Sequence, residues 1–278
     1  MNRRTHCPLC AGTRLRDHLV DWQQNRYQRC ADCGMVIQNP HCPDIDYDDG
    51  YWGVVTDPDG MRRDLLKERR RRLKNWYGAV PEVIDQLPDA RILDIGCGPG
   101  HLLSAVSNRH EKTALEVSSR CVEHIRRQYP EIRVKNATLE TCAFAPDSFD
   151  VVLFYHVIEH LTDPLAALQA IHRLLKDGGL LIVGTPNISG FCARRFRGNF
   201  RLLGRPHLTL FDETTLTRIL HRTGFVVTAK EFPFFRTDYF TVKNLLRLWN
   251  PRRLSPPFYK NVITFYARKK ALPEGRRG

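Results

Sequence analysis

The chain has 278 residues, 42% of them hydrophobic and 26% charged, with 43 basic against 30 acidic side chains and a formal net charge of +13. This composition excludes a disordered chain and suits one main domain with a sizeable core plus a small appendage. No apolar run nears the ~20 residues that a membrane-spanning helix needs, so no transmembrane segment is expected.

The start, MNRRTHCPLC, carries positive charge with no apolar stretch behind it, and no secretory signal is read there. Nine cysteines, an odd number, then point to a reducing cytoplasm and to metal thiolates instead of disulfides. Cys7-Pro-Leu-Cys10 and Cys30-Ala-Asp-Cys33 form two C-x2-C pairs at an interval that suits a short ribbon. Four thiolates around a tetrahedral Zn²⁺ leave no open position, so Cys7, Cys10, Cys30 and Cys33 are expected to hold a structural zinc in a ribbon-like module over 1–45. Cys42 is read as a spare thiol.

Residues 39–52 (NPHCPDIDYDDGYW) read as a connection leaving the module, and 62–78 as a basic amphipathic helix. Its inward face is expected to be Leu65, Leu66, Leu73 and Trp76. Linker and helix together occupy 46–88.

From residue 89 strand and helix patterns alternate. RILDI (91–95) is a strand, followed by Gly96-Cys-Gly98-Pro-Gly100 and a predicted helix from about His101 to Arg109. KTALEVS (112–118), IRVKN (132–136), FDVVLFYHV (149–157) and LLIVGTP (180–186) are further strands. Ser118 or Ser119 caps one helix, and Asp163-Pro164 opens another that Lys176-Asp-Gly-Gly ends. FVVTAKEF and NVITFYARK supply late strands. The expectation is a doubly wound, mostly parallel α/β sheet of Rossmann-like type over 89–278, with ligands beyond the carboxyl ends of its strands.

The unusual polar groups fall at those ends: Asp94 and the glycines after the first strand, and Glu116 closing the second. His156, Glu159 and His160 follow the fourth; Thr185 and Asn187 follow the fifth. The glycines permit a tight turn with close ligand approach, and a carboxylate 18 residues beyond Gly98 sits about where one reaches ribose hydroxyls. By themselves these features also fit a dinucleotide enzyme.

LDIGCGPGHLL resembles motif I of class I S-adenosylmethionine (SAM) methyltransferases, and ALEVS their second acidic motif. APDSFDVVLFYHVIEHLTDPLAAL and GRPHLTLFDETTLTRILHRTGF resemble later blocks of that superfamily, and the cysteine pairs resemble the leader of a bacterial subgroup. The resemblance implies a seven-stranded sheet and SAM as cofactor. It implies that Asp94, Gly96, Cys97, Gly98 and Gly100 hold the methionine end and that Glu116, with Val117, binds the ribose. Thr138 and Leu139 would flank the adenine, and Tyr155 would line the same pocket. Relatives carry an aspartate near Thr138 that is absent here.

Methyl transfer from a sulfonium needs an aligned acceptor and removal of its proton. His156 is the candidate base, and it can equally line the pocket without titrating. His156-Val-Ile-Glu159-His160 also spells a zinc-peptidase pattern, which requires a helix where this sequence has a strand end. Glu159, His160 and His207 resemble the divalent-metal group of some quinone and small-RNA O-methyltransferases, so His160 and His207 join the catalytic candidates. The same residues can instead cap the next helix and hold His207.

Basic charge is concentrated in three places. Residues 62–74 hold eight basic side chains; Arg194, Arg195, Arg197, Arg201 and Arg205 cluster without an acid; and ten basic residues lie from Lys243 onward. With Phe191, Phe196 and Phe200, the stretch 188–211 is expected to be a cap over the acceptor, opposite a wall from Phe234, Phe235, Tyr239 and Phe240. The acceptor is expected to be a small or medium-sized metabolite (a sugar, glycolipid, quinone or natural-product intermediate) methylated at oxygen. An RNA substrate and a non-catalytic SAM- or nucleotide-binding module are the rival readings. Leu245, Leu246, Leu248 and Trp249 beside Arg247, Arg252 and Arg253 further suggest peripheral membrane contact.

Overall fold

The computed structural model describes residues 3–41, 47–48, 51–52, 54–56, 62–204 and 206–270. Cys42 and Arg205 lie outside the described residues.

Three strands follow the first cysteine pair: β1 (Leu15–Val20), β2 (Arg26–Cys30) and β3 (Val36–Gln38), paired antiparallel in that order. A two-stranded ribbon of β4 (Val54–Thr56) and β5 (Arg62–Asp64) precedes two short helices, α1 (Arg69–Asn75) and α2 (Val80–Asp85). The single helix expected over 62–78 is therefore a strand, a turn and α1, because Arg62–Asp64 bonds to β4. Leu73 and Trp76 do pack on the core.

The main sheet is built from β6 (Arg91–Ile95), β7 (Glu111–Glu116), β8 (Ile132–Asn136), β9 (Phe149–Tyr155) and β10 (Leu175–Pro186). The late strands β12 (Phe225–Glu231) and β13 (Val262–Lys269) join them antiparallel. The order is β12-β13-β10-β9-β6-β7-β8, a Rossmann-like sheet of seven strands, and β6 to β10 run parallel.

Strand alternation sends side chains to opposite faces. Val152 and Phe154 of β9 meet α4 (Pro164–Leu174) and α6 (Glu213–Arg222) on one face. Val151, Leu153 and Tyr155 meet Val80 and Ile84 of α2 and Ile125 of α3 (Ser119–Gln128) on the other. Each fully buried aliphatic or aromatic side chain there contributes about 1.5–3 kcal/mol.

Local signals set the helix ends. Ser118, not Ser119, caps α3 by accepting from the Cys121 N–H; Asp163 caps α4 from the Ala166 N–H; Asp212 and Thr215 form a capping box on α6. The helix expected over 101–109 is only a 3-10 turn at Leu103–Ala105. The buried Lys112 ammonium takes the Val106 carbonyl, and Asp85 takes the Ser107 N–H, so those groups are withdrawn from a helical ladder. No helix of the described residues is long and apolar enough to cross a membrane.

The stretch 188–211 forms α5 (Phe191–Phe196), a 3-10 turn and β11 (Thr209–Leu210). β11 pairs with β3 and becomes the fourth strand of the N-terminal sheet. Phe196 and Phe200 are buried with Tyr27 and Val36 of that sheet. The expected acceptor cap is thus mostly a clamp between module and main sheet. α7 (Val242–Arg247) closes the element list.

Candidate functional site

A cavity of about 310 Å³ opens at the carboxyl ends of β6, β7 and β9. Asp94, Gly96, Cys97, Gly98, Glu116, Val117, Thr138, Leu139, Tyr155, His156 and His160 all line it. Among the wall residues are also Tyr47, Tyr51, Trp52, Arg72, Trp76 and Tyr77, of which the sequence pattern marks only Trp76 as facing inward.

The turn after β6 is left-handed at Gly96 (φ +68°), Gly98 (φ +55°) and Gly100 (φ +75°), where a side chain would be strained. A Cβ on Gly98 would also come 2.7 Å from the Trp52 ring. Gly100 has a different neighbour: a Cβ there would meet Ile125 and Tyr129 beside α3, and Gly100 is not on the cavity wall. Its smallness lets the loop seat against α3.

Two buried carboxylates face this turn. Glu116 accepts from the Gly98 N–H (2.7 Å) and the Ser118 N–H (2.9 Å). Burial, despite those donors, raises its pKa. Asp94 is pushed up to about 8 by complete burial and by the neighbouring charge of Glu116. A pair held this way favours a cationic ligand that would relieve the repulsion.

His156 leaves β9 at φ +57°, a conformation rare for a residue with a Cβ, and its N–H donates to Gly184 O (2.8 Å). Its ring stands edge-on to both Trp76 and Tyr155, each with centroids 5.1 Å away. Nδ1 is 3.0 Å from Glu159 Oε1, while Nε2 is buried without a partner among the described residues. Glu159 is fully buried in the 3-10 turn Ile158–His160, and its other oxygen accepts from the Thr185 hydroxyl (3.1 Å). Burial alone would raise the Glu159 pKa, but the His156 hydrogen bond and the surrounding histidines hold it at about 2.

His160 and His207 rings lie 4.9 Å apart, and ligand atoms of Glu159, His160 and His207 lie within 4.8 Å of one another. Burial lowers the pKa of both histidines, that of His160 to about 3. His207 Nδ1 is 2.7 Å from the Leu202 carbonyl, and His207 is not on the cavity wall. Neither Glu159 nor His160 caps α4, since Asp163 does. The peptidase pattern fails as well, because His156 leaves β9 in a left-handed conformation and only Glu159 and His160 share the 3-10 turn, so no helix displays both histidines.

Over the cavity, Tyr47, Tyr51 and Trp52 pack edge to face in series, and Tyr47 and Tyr51 also meet His160. The Arg72 guanidinium lies about equally far from the Trp52 and Trp76 rings (5.4 and 5.5 Å), a cation–π arrangement that ties α1 to this cover. A connection rich in proline, aspartate and tyrosine carries no periodicity that would place Tyr47, Tyr51 and Trp52 over the cavity.

At the other end, the two C-x2-C turns are alike. Ala11 (φ +59°) and Gly34 (φ +82°) follow the second cysteine of each, and both donate N–H to the carbonyl of the first cysteine at 2.9 Å. Cys7 and Cys33 Sγ are 3.4 Å apart, Cys10 and Cys30 Sγ 3.6 Å, and all four lie within 4.8 Å of one another.

A parallel sheet of this order, with a left-handed glycine turn after one strand and a buried acid closing the next, defines a Rossmann-like ligand-binding domain. Residues 59–230 match the methyltransferase domain family, and the chain belongs to it. A protein named "Probable S-adenosylmethionine-dependent methyltransferase" from Mycolicibacterium smegmatis is 31% identical over 139 residues, 49% of this chain and 52% of that one. A ubiquinone biosynthesis O-methyltransferase of Cereibacter sphaeroides is 40% identical over 102 residues, 35% of this chain and 41% of that one. The chain thus spans about half the length of the curated relatives it matches, or less. The solved SAM-dependent methyltransferase of Thermotoga maritima shares the fold at a TM-score of 0.53 and 22% identity, over 73% of this chain and 95% of that one.

Proposed function

We propose that the chain transfers the methyl group of SAM to a hydroxyl oxygen of a small or medium-sized metabolite. The observation that carries this reading is His156 on the wall of the same cavity as Asp94, Glu116 and the glycine turn, with its Nε2 unpartnered among the described residues. The site fits SAM chemically: two buried carboxylates suit a ligand with an ammonium and ribose hydroxyls, and the turn admits close approach. Asp94 and Gly96–Gly98 would hold the methionine end, Glu116 and Val117 the ribose, and Thr138 and Leu139 the adenine. Tyr155 donates to the Trp76 carbonyl (2.6 Å) and fixes the wall between them. SAM supplies, when bound, a methyl group on a positively charged sulfur.

The protein's part is then orientation and proton removal. With Nδ1–H donating to the Glu159 carboxylate, the lone pair of His156 lies on Nε2. Nε2 would take the acceptor hydroxyl proton as the oxygen–methyl bond forms and the carbon–sulfur bond breaks, its electron pair leaving on a neutral thioether, and Glu159 would steady the resulting imidazolium. Both Glu159 oxygens are already engaged, by His156 and Thr185, and His207 Nδ1 by Leu202 O. We therefore assign Glu159 to positioning His156; the ligand atoms of Glu159, His160 and His207 lie close enough to share a divalent metal, and the proposed step is written without one. A smaller cavity beyond Trp76, lined by Arg201, Phe234, Tyr239 and Phe258, gives room on the acceptor side.

The cysteine cluster fits zinc. Zn–S bonds of about 2.3 Å in a tetrahedron place sulfurs about 3.8 Å apart, close to the 3.4 and 3.6 Å separations here. Burial pushes the Cys7 thiol up to about 11 and the Cys33 thiol up as well, so a cation is what would keep them thiolate.

The covered cavity favours a metabolite over RNA. The test is transfer of label from methyl-labelled SAM with RNA and a panel of hydroxylated metabolites offered separately. Base-stable label on a metabolite hydroxyl is expected. Label only on RNA would support the rival substrate, and SAM binding without transfer to any acceptor would support a non-catalytic module.

A further inference from the structure

We propose that the segment 235–253 docks the protein on an anionic lipid surface. Six of the eleven large apolar side chains exposed among the described residues lie here: Phe235, Phe240, Val242, Leu245, Leu246 and Trp249. Val242 is 73% exposed, Leu246 65% and Trp249 81%, values that leave nearly whole side chains in water. Large apolar side chains left exposed together in one short segment mark a contact surface.

The charge around the patch selects the partner. Arg236, Lys243, Arg252 and Arg253 are exposed, Arg247 is half-buried, and the one acid of the segment, Asp238, is engaged by Lys74 and Asn75. A surplus of cations around an apolar centre complements lipid headgroups over acyl chains. Against a second copy of this chain the same surface would bring like charges together. Against RNA, Val242, Leu245 and Leu246 have nothing to offer. Phe235 and Phe240 already contact each other and Phe234 at 73° interplanar angles, which commits these rings to packing instead of base stacking. Phe234 also lines the smaller cavity beside Trp76, so the docking surface is continuous with the acceptor side of the site. The docking itself does not depend on the methyl-transfer reading.

The test is co-sedimentation of the full chain with phosphatidylcholine vesicles containing a quarter phosphatidylglycerol, and with phosphatidylcholine alone, at low and at 0.5 M salt. Binding to the anionic vesicles that weakens at high salt is expected. Leu246→Asp with Trp249→Ser should lower the partition coefficient at least tenfold, and Arg252→Glu with Arg253→Glu should remove the preference for the anionic lipid. These side chains are exposed, so melting temperature and SAM binding should stay unchanged and show that the variants are folded. The proposal is overturned by absence of binding at low salt, or by binding that the Leu246/Trp249 variant leaves intact. It is overturned equally if that variant instead dissociates a dimer in sedimentation equilibrium, or if the patch retains RNA and not vesicles.

Discussion

His156→Ala is expected to lower kcat by about 10²- to 10⁴-fold, the range for loss of a positioned general base, while SAM affinity changes by no more than a few-fold. The asymmetry follows from where the residue sits. His156 lines the cavity and its Nε2 has no protein partner among the described residues, whereas the groups assigned to SAM, Asp94 and Glu116, belong to other strands and keep their geometry without it. Glu159→Gln should cost less, because a glutamine amide still reaches His156 and Thr185. It removes the charge that favours the imidazolium, however, and so should shift the pH profile of kcat. A carboxylate held at about 2 is ionised throughout the working range, so that shift reports on the histidine and not on titration of Glu159. Steady-state kinetics on the acceptor found by methyl labelling would check both. An unchanged kcat in His156→Ala would reduce the residue to a wall of the pocket.

Cys33→Ser, or stripping the metal with a strong chelator, should destabilise far more than the module alone. Structural zinc sites in small domains carry apparent binding free energies of about 10–16 kcal/mol, and the cysteines here sit in the same core as Leu9, Met35 and Ile37. That core is shared: β3 pairs with β11, Thr209 with Ile37 and Leu210 with Val36. The next residue back, Leu208, donates its N–H to the Glu159 carbonyl at 2.8 Å. Melting the module therefore loosens the turn that orients His156. We expect one zinc per chain by elemental analysis and a fall in melting temperature on the order of 10 °C or more for Cys33→Ser. Activity should be lost in parallel with the metal. Full activity and an unchanged melt in a metal-free chain would remove zinc from the account.

The main sheet was legible because its strands are short apolar runs punctuated by glycine, proline and capping residues, and such signals are local. RILDI and IRVKN begin and end at the positions expected, and Asp163 and Ser118 cap as their types predict. What the sequence could not disclose depends on long-range pairing. Nothing in Thr209–Leu210 announces partners 172 and 174 residues earlier, yet that pairing clamps the stretch between module and main sheet. The missing helix after Gly100 has a nearer origin, since the Lys112 side chain from the next strand and Asp85 from α2 claim its backbone groups. In the candidate site, chemistry-bearing types at strand ends could be picked out one by one. Tyr51, Trp52 and Arg72 could not, because an aromatic in a connection carries no sign of the surface it will cover.

Calorimetric titration with SAM at several pH values, with NAD as the control ligand, tests the central claim most directly. Burial and the charge of Glu116 push Asp94 up to about 8, whereas a bound ammonium would favour its ionised form, so binding below that pH is expected to release a proton. Affinity should therefore fall as pH drops from 8 to 6, by up to about tenfold per unit. Asp94→Ala and Glu116→Ala should each weaken binding, and Asp94→Ala should also flatten the pH dependence. SAM binding with these properties and no NAD binding is the predicted result; failure to bind SAM, or a preference for NAD, would contradict the account.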